Sequence, residues 1–144
     1  MKTRILTLTM AISIGTAAFA HDGVKNEAVK ARMALMGQIK DAMGVIGGMA
    51  KGSVPFDADK AEAARAALEE AAEQIPAAFE ANETDPKSEA LPAIWESWSS
   101  FTSNSEDMSM AAGVMDVTSL DTLRAGIGNV GASCKGCHKD FRKK

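Results

Sequence analysis

Both cysteines of this 144-residue chain lie in one short stretch near its C-terminus, Cys134-Lys135-Gly136-Cys137-His138. On a helix, Cys134 and Cys137 are three apart and Cys134 and His138 four apart, so the three side chains share one face. Two thiols and an imidazole on one turn can meet the edge and the centre of a single porphyrin. The thiols then form thioether bonds to its vinyl groups and the histidine binds the iron. The spacing therefore predicts one covalently attached c-type haem, and it requires a helix at the end of the fold.

Other uses of two cysteines fit less well. A structural zinc site takes four N or S ligands, and beyond this stretch only His21 offers another such donor. His21 is also a weak rival as an iron ligand, because it would stand at a mature N-terminus, where chains fray. A dithiol redox motif belongs in a βαβ context, which nothing in this sequence suggests. A structural disulfide needs no histidine.

The N-terminus points to the same chemistry independently. Lys2 and Arg4 precede an apolar stretch from Ile5 to Ala18, and Ala18-Phe19-Ala20 is a small-x-small cleavage site. This is the pattern of a secretory signal peptide over residues 1–20, and the apolar run is too short and too interrupted for a membrane span. The expected product is a single domain, 21–144, that does not insert stably in a membrane. In a bacterium its compartment is the periplasm, where haem is attached to exported chains. Without Lys2 and Arg4, the 16 Lys+Arg become 14 against 19 Asp+Glu, a net charge of −5. That acidic balance argues against a nucleic-acid partner. Lys135, Lys139, Arg142, Lys143 and Lys144 nevertheless gather positive charge beside the cysteines, either to steer an acidic redox partner or as a solvated helix end.

Helical periodicity runs through the rest of the chain. Arg32, Met36, Ile39, Met43, Ile46 and Ala50 recur at spacings of four and three between Val24 and about Met49, and Lys51-Gly52-Ser53 with Pro55 closes the segment. Asp57 or Asp59 can cap a second helix over Ala61–Ala81, with Ala64, Leu68, Ala71, Ile75 and Phe79 inward and Pro76 a kink or early end. Asn82–Leu91 is a polar connection. Trp95, Trp98 and Phe101, three apart, are expected to begin one third helix near Glu96 that ends at Gly113–Asp116, with the rings near one face in the core. Thr118 or Ser119 caps the fourth, with Asp121 supplying the carboxylate of a capping box. Its stripe is Leu120, Leu123, Ile127, Val130, Cys134 and Cys137. Four helices and no convincing strand predict an all-α fold, an antiparallel four-helix bundle with the haem in its interior. Aromatic residues are 5% of the chain and Tyr is absent, so a flat apolar cofactor would supply core volume.

Several stretches are recognisable together: Arg32-Met33-Ala34-Leu35-Met36, the Lys51-Gly52 to Pro55-Phe56-Asp57 junction, Pro92-Ala93-Ile94-Trp95, and Gly131-Ala132-Ser133-Cys134 through to Arg142. The sequence resembles the class II c-type cytochromes, the cytochrome c prime family, over essentially the whole mature chain. The resemblance implies a four-helix bundle, one haem c, a periplasmic location and often a homodimer built through the first two helices. It places Cys134 and Cys137 on the vinyls and His138 on the proximal side of the iron. It also places Arg32 near a propionate, where a charge-assisted bond is sensible, with Met33, Glu89 and Arg142 as further haem contacts.

The same resemblance puts Met36 on the distal side, where two functions diverge. If its thioether binds iron, the haem is six-coordinate and the protein is an electron carrier between redox proteins. If Met36 only packs, the iron is five-coordinate and high-spin, open to nitric oxide or carbon monoxide. Met is a common core filler, and Met43 and Met49 follow on the same helix. No distal histidine or other general acid–base set is apparent, so the expectation is a carrier and not an enzyme.

Overall fold

The computed structural model describes residues 23–144, so the signal peptide, its cleavage site and His21 lie outside the described residues. Five helices follow in order: α1 (Glu27–Lys51), α2 (Ala58–Phe79), a single turn α3 (Ala93–Glu96), α4 (Trp98–Gly113) and α5 (Leu120–Phe141). The four long ones pack as successive neighbours, and α5 returns against α1. This is the antiparallel four-helix bundle that the periodicity predicts.

The caps explain where the helices begin and end. Asn26 starts α1 by accepting a hydrogen bond from the Val29 N–H at 3.0 Å. At the other end Gly52 adopts a left-handed conformation, φ +75°, and the Ser53 N–H reaches back to the Gly48 carbonyl at 2.9 Å. Glycine is the residue that reaches such a φ without steric cost. Of the two aspartates expected to cap α2, Asp57 does so, accepting from the Lys60 N–H at 3.1 Å. Ser119 caps α5, but the reciprocal partner is the Thr122 hydroxyl and not the Asp121 carboxylate, because Thr122 occupies the third helical position from which a side chain can reach back.

One open alternative about helix continuity is resolved and one expectation is corrected. Pro76 does not end α2, which runs on to Phe79. Proline removes one donor from the ladder, but Ile75 and Phe79 on either side are buried in the core and hold the last turn in place. The third helix is not continuous. Ser97, at φ −127° and ψ 46°, separates α3 from α4, so Trp95 and Trp98 do not share a helix face. Trp98 lies beside Phe101, with ring centroids 5.6 Å apart. Phe101 also meets Phe79 and Phe141 at 5.1 and 5.4 Å, so three rings from α2, α4 and α5 form a contiguous aromatic group. Trp95 turns elsewhere and donates its indole N–H to the Phe79 carbonyl at 2.8 Å.

On α2 the predicted inward residues are all buried. On α1 the buried stripe is Val29, Arg32, Leu35, Ile39, Ala42, Ile46 and Met49, while Met36, Met43 and Ala50 are partly buried along its edge. On α5, Leu123 and Val130 are buried, whereas Ile127, Cys134 and Cys137 pack against the core only in part. The inward faces of α1 and α5 thus run past the closed core into the open space described next.

Candidate cofactor site

A cavity of about 650 Å³ opens between the helices at the end of the bundle where α1 starts and α5 finishes. Its walls bring together all eight residues singled out in the sequence. Met33, Met36 and Arg32 come from α1, Glu89 from the α2–α3 connection, and Cys134, Cys137, His138 and Arg142 from α5 and its end. The size suits a large organic ligand. Gly37 and Gly131 also line it, and a Cβ built on either would meet nothing within 4 Å. A flat ring could therefore lie close to both helix backbones.

The two cysteines are free and half-buried. Burial pushes the Cys134 thiol up, and the Cys137 thiol, buried and beside Cys134 and Asp140, is pushed up to about 11. Both are protonated thiols at neutral pH. His138 follows on the same turn, exposed on one side to solvent. Burial lowers its pKa, the Arg142 guanidinium lowers it further, and Glu89 opposes both. It is therefore a neutral imidazole near pH 7, the form that binds iron. Among the described residues, no three His, Cys, Asp or Glu side chains gather around one point suited to an ion. Side chains that meet a ring at its edge and at its centre have no need to converge, so these residues fit a haem.

Arg32 lines the cavity and is at the same time bonded to the chain at the end of α2. It is 3% exposed, and its guanidinium donates to the Ala78 carbonyl in the last turn of α2 at 3.0 Å and, just beyond the helix, to the carbonyls of Glu83 at 2.8 Å and Ala81. It also lies over the rings of Phe79 and Trp95, at 5.1 and 5.2 Å. The last carbonyls of a helix are orphaned and carry the negative end of its dipole. α2 has no glycine cap, and Arg32 closes it instead. Burial pulls the Arg32 pKa down while the Glu83 charge pushes it up. Two of its five N–H groups remain for a second acceptor in the cavity. Replacing Arg32 with Met keeps much of the stem but takes the donor away from the Ala78 and Glu83 carbonyls, while Ala81 keeps the Glu83 N–H at 2.9 Å. The expected loss is on the order of 3 kcal/mol, read from the denaturation midpoint of the holoprotein.

Glu89 and Arg142 both line the cavity. They pair with each other, the Arg142 Nε–H donating to the Glu89 carboxylate at 2.7 Å. Around them the chain forms a short antiparallel pairing. Ala90 bridges Arg142, the Leu91 N–H donates to Phe141 at 3.0 Å, and the Lys143 N–H donates to Glu89 at 2.8 Å. The segment after His138 is thereby tied to the α2–α3 connection. Asp85, which the sequence reading missed, holds that connection to α1. Its buried carboxylate accepts from the backbone N–H groups of Lys25 at 2.9 Å, Asn26 at 3.1 Å and Lys87 at 2.9 Å.

These bonds hold the Asp85 carboxyl below the usual carboxylate range; the Lys87 N–H contributes most, the Lys25 N–H next, and burial opposes them. A depressed pKa stabilises the fold above the unfolded value, near 4, and that contribution is lost as pH falls through the folded value. The thermal midpoint should drop on acidification below about pH 4, and Asp85→Asn should lower the midpoint at pH 7 and flatten that acid limb. An unchanged limb would remove Asp85 from this role.

The chain resembles known proteins along nearly its full length. The family model described as Cytochrome C' matches residues 27–142. The cytochrome c' of Rhodopseudomonas palustris is 33% identical over 147 residues, covering 100% of this chain and 99% of that protein. An NMR-validated structure of oxidised cytochrome c556 from R. palustris superposes with a TM-score of 0.76 at 28% identity, covering 83% of this chain and 98% of that one. A point mutant of cytochrome c prime from Alcaligenes xylosoxidans, complexed with nitric oxide, superposes with a TM-score of 0.70 at 32% identity, covering 81% and 94%.

Proposed function

The chain belongs to the cytochrome c' family, and from that premise we propose that it carries single electrons between redox proteins, with His138 and Met36 as axial ligands of its haem c. The bound haem supplies a one-electron couple, ferric to ferrous. The chain's residues do the rest. Cys134 and Cys137 anchor the ring by two thioethers, and His138 presents a neutral imidazole from the same turn. Met36 offers a thioether from α1. The observation that supports this reading is that one cavity is lined by His138 from α5 and by Met36 from the facing helix. A haem held by both His138 and Met36 would have little to rearrange on reduction, and a thioether ligand would raise its potential.

Among the described residues His138 is the one imidazole, and it is the residue assigned to the iron. We place the protein in the periplasm, on the strength of the signal-peptide pattern. If two copies pair through α1 and α2, the exposed Val45 and Val54 on and after α1 are apolar side chains available to be covered.

A second reading is favoured by one finding, the relative complexed with nitric oxide. In it Met36 only packs, as one of several cavity methionines with Met33, Met43 and Met108, and the iron keeps an open side for diatomic gases. Carbon monoxide separates the two readings. Added to the reduced holoprotein at neutral pH, it should bind slowly and weakly, because Met36 must leave first. Rapid, complete binding would establish the gas-binding reading.

A further inference from the structure

We propose that the end of the bundle centred on Lys135 and Lys139 of α5 is the docking surface for an acidic electron-transfer protein. The inference rests on the electron-carrier reading and concerns the partner of the same site. Charge in this chain is strongly segregated. Residues 21–134 hold nine Lys or Arg and eighteen Asp or Glu, whereas residues 135–144 hold five Lys or Arg and one Asp. All five of those cations are exposed. The basic patch is therefore a local reversal on an acidic molecule.

Its position is what gives it meaning. Lys135 and Lys139 are four apart on α5, either side of the exposed, cavity-lining His138. Lys87 reaches the same cavity from the α2–α3 connection, so the charge converges from two elements. Cations in the last turn of a helix also answer its dipole, but that effect fades within one turn. It does not account for Lys135, six residues before Phe141, or for Lys87.

At this end Glu89 pairs with Arg142, Glu27 with Lys30, and Asp85 with three backbone N–H groups, while Glu80, Glu83 and Glu96 are exposed just after α2 and on α3, off the Lys135–Lys139 turn. Asp140 is the exposed carboxylate on the patch itself. A positive rim around the cofactor edge raises the encounter rate of a negative partner and orients it, which matters for electron transfer because distance and facing decide the rate. A basic partner would instead meet the acidic remainder, including Glu70 and Glu73 of the exposed α2 surface.

Two measurements on the holoprotein test this. In the first, the ferrous protein is oxidised by anionic hexacyanoferrate(III) and, separately, by cationic tris(phenanthroline)cobalt(III). One electron passes from haem to metal complex, with no bond or proton transferred. If the patch governs access, the rate with the anion falls about threefold or more as ionic strength rises from about 0.01 to about 0.3 M, despite the negative net charge. Lys135→Glu with Lys139→Glu should abolish or invert that slope. Lys51→Glu with Lys60→Glu, at the opposite end where Arg124 of α5 meets the Ala50 carbonyl, should leave it in place.

In the second, a hexaglutamate peptide is titrated into the isotope-labelled reduced protein at low salt. Amide shifts should concentrate at residues 135–143 and 87–90. A rate with the anion that rises with salt, equal effects of the two charge-reversal pairs, or peptide shifts elsewhere would overturn the proposal. The salt slope can be read whatever the spin state. Failure here therefore leaves the axial-ligand reading standing, and that reading is judged from the optical spectrum alone.

Discussion

A Met36→Ala variant should turn the oxidised haem from low-spin to high-spin and open the reduced protein to carbon monoxide, while the bundle stays folded. The thioether sits half-buried at the edge of the α1 core stripe, facing the cavity and not the closed core. Truncating a methionine in a tight core costs about 2–5 kcal/mol. Here part of that side chain already borders open space, so the loss should fall at or below the low end of that range. The ligand effect should be much larger. If the open form makes up about 1% of the native population, making it permanent raises apparent gas affinity roughly 100-fold. An unchanged spectrum in this variant would mean that iron takes another distal ligand or none.

Removing the attachment should have the other large effect. Cys134→Ser with Cys137→Ser should yield a chain from which acid-acetone extracts all haem, because serine forms no thioether. Either single change should retain one covalent link. The double variant should also be much less stable. A cavity of about 650 Å³ loses its tethered occupant, and with it the stabilisation that comes from a ligand bound by the folded state alone. For a domain of this size the drop in thermal midpoint should be on the order of 10 °C or more. Haem that stays with the extracted double variant would contradict attachment at these cysteines.

What the sequence disclosed, and what it hid, follows from the range of the interactions. The inward faces of α2 and α5 were legible because burial of Leu68, Ile75, Leu123 and Val130 repeats with the helix period. The α1 stripe was legible in part: Leu35 and Ala42 are buried where the spacing pointed to their neighbours Met36 and Met43, which border the cavity, and Met49 is buried where it pointed to Ala50. The haem site could be read from five contiguous residues because its chemistry fixes their spacing. The break at Ser97 was hidden, since Trp95, Trp98 and Phe101 carry a helical spacing that gives no sign of Trp95 bonding to the Phe79 carbonyl sixteen residues away.

Arg32 was placed at the site, yet its three carbonyl partners lie 46 to 51 residues on. Nothing local reveals that a cation from α1 will close α2. Asp85 was missed for the same reason. It sits in a polar loop with Glu83 and Glu89, and only the folded structure brings it to the start of α1, about sixty residues earlier. The pairing of Glu89 with Arg142 likewise spans 53 residues. Covalent and helical regularities could be read along the chain, whereas side chains that close helix ends or fasten loops across the bundle could not.

The coordination of the iron decides between an electron carrier and a gas binder, and the oxidised holoprotein at neutral pH reports it without mutation or added ligand. An absorption spectrum extended to long wavelength should show a low-spin haem with a sulfur-to-iron charge-transfer band, the signature of the Met36 thioether opposite His138. A high-spin spectrum without that band would contradict His138–Met36 ligation and leave Met36 as a packing residue beside an open iron.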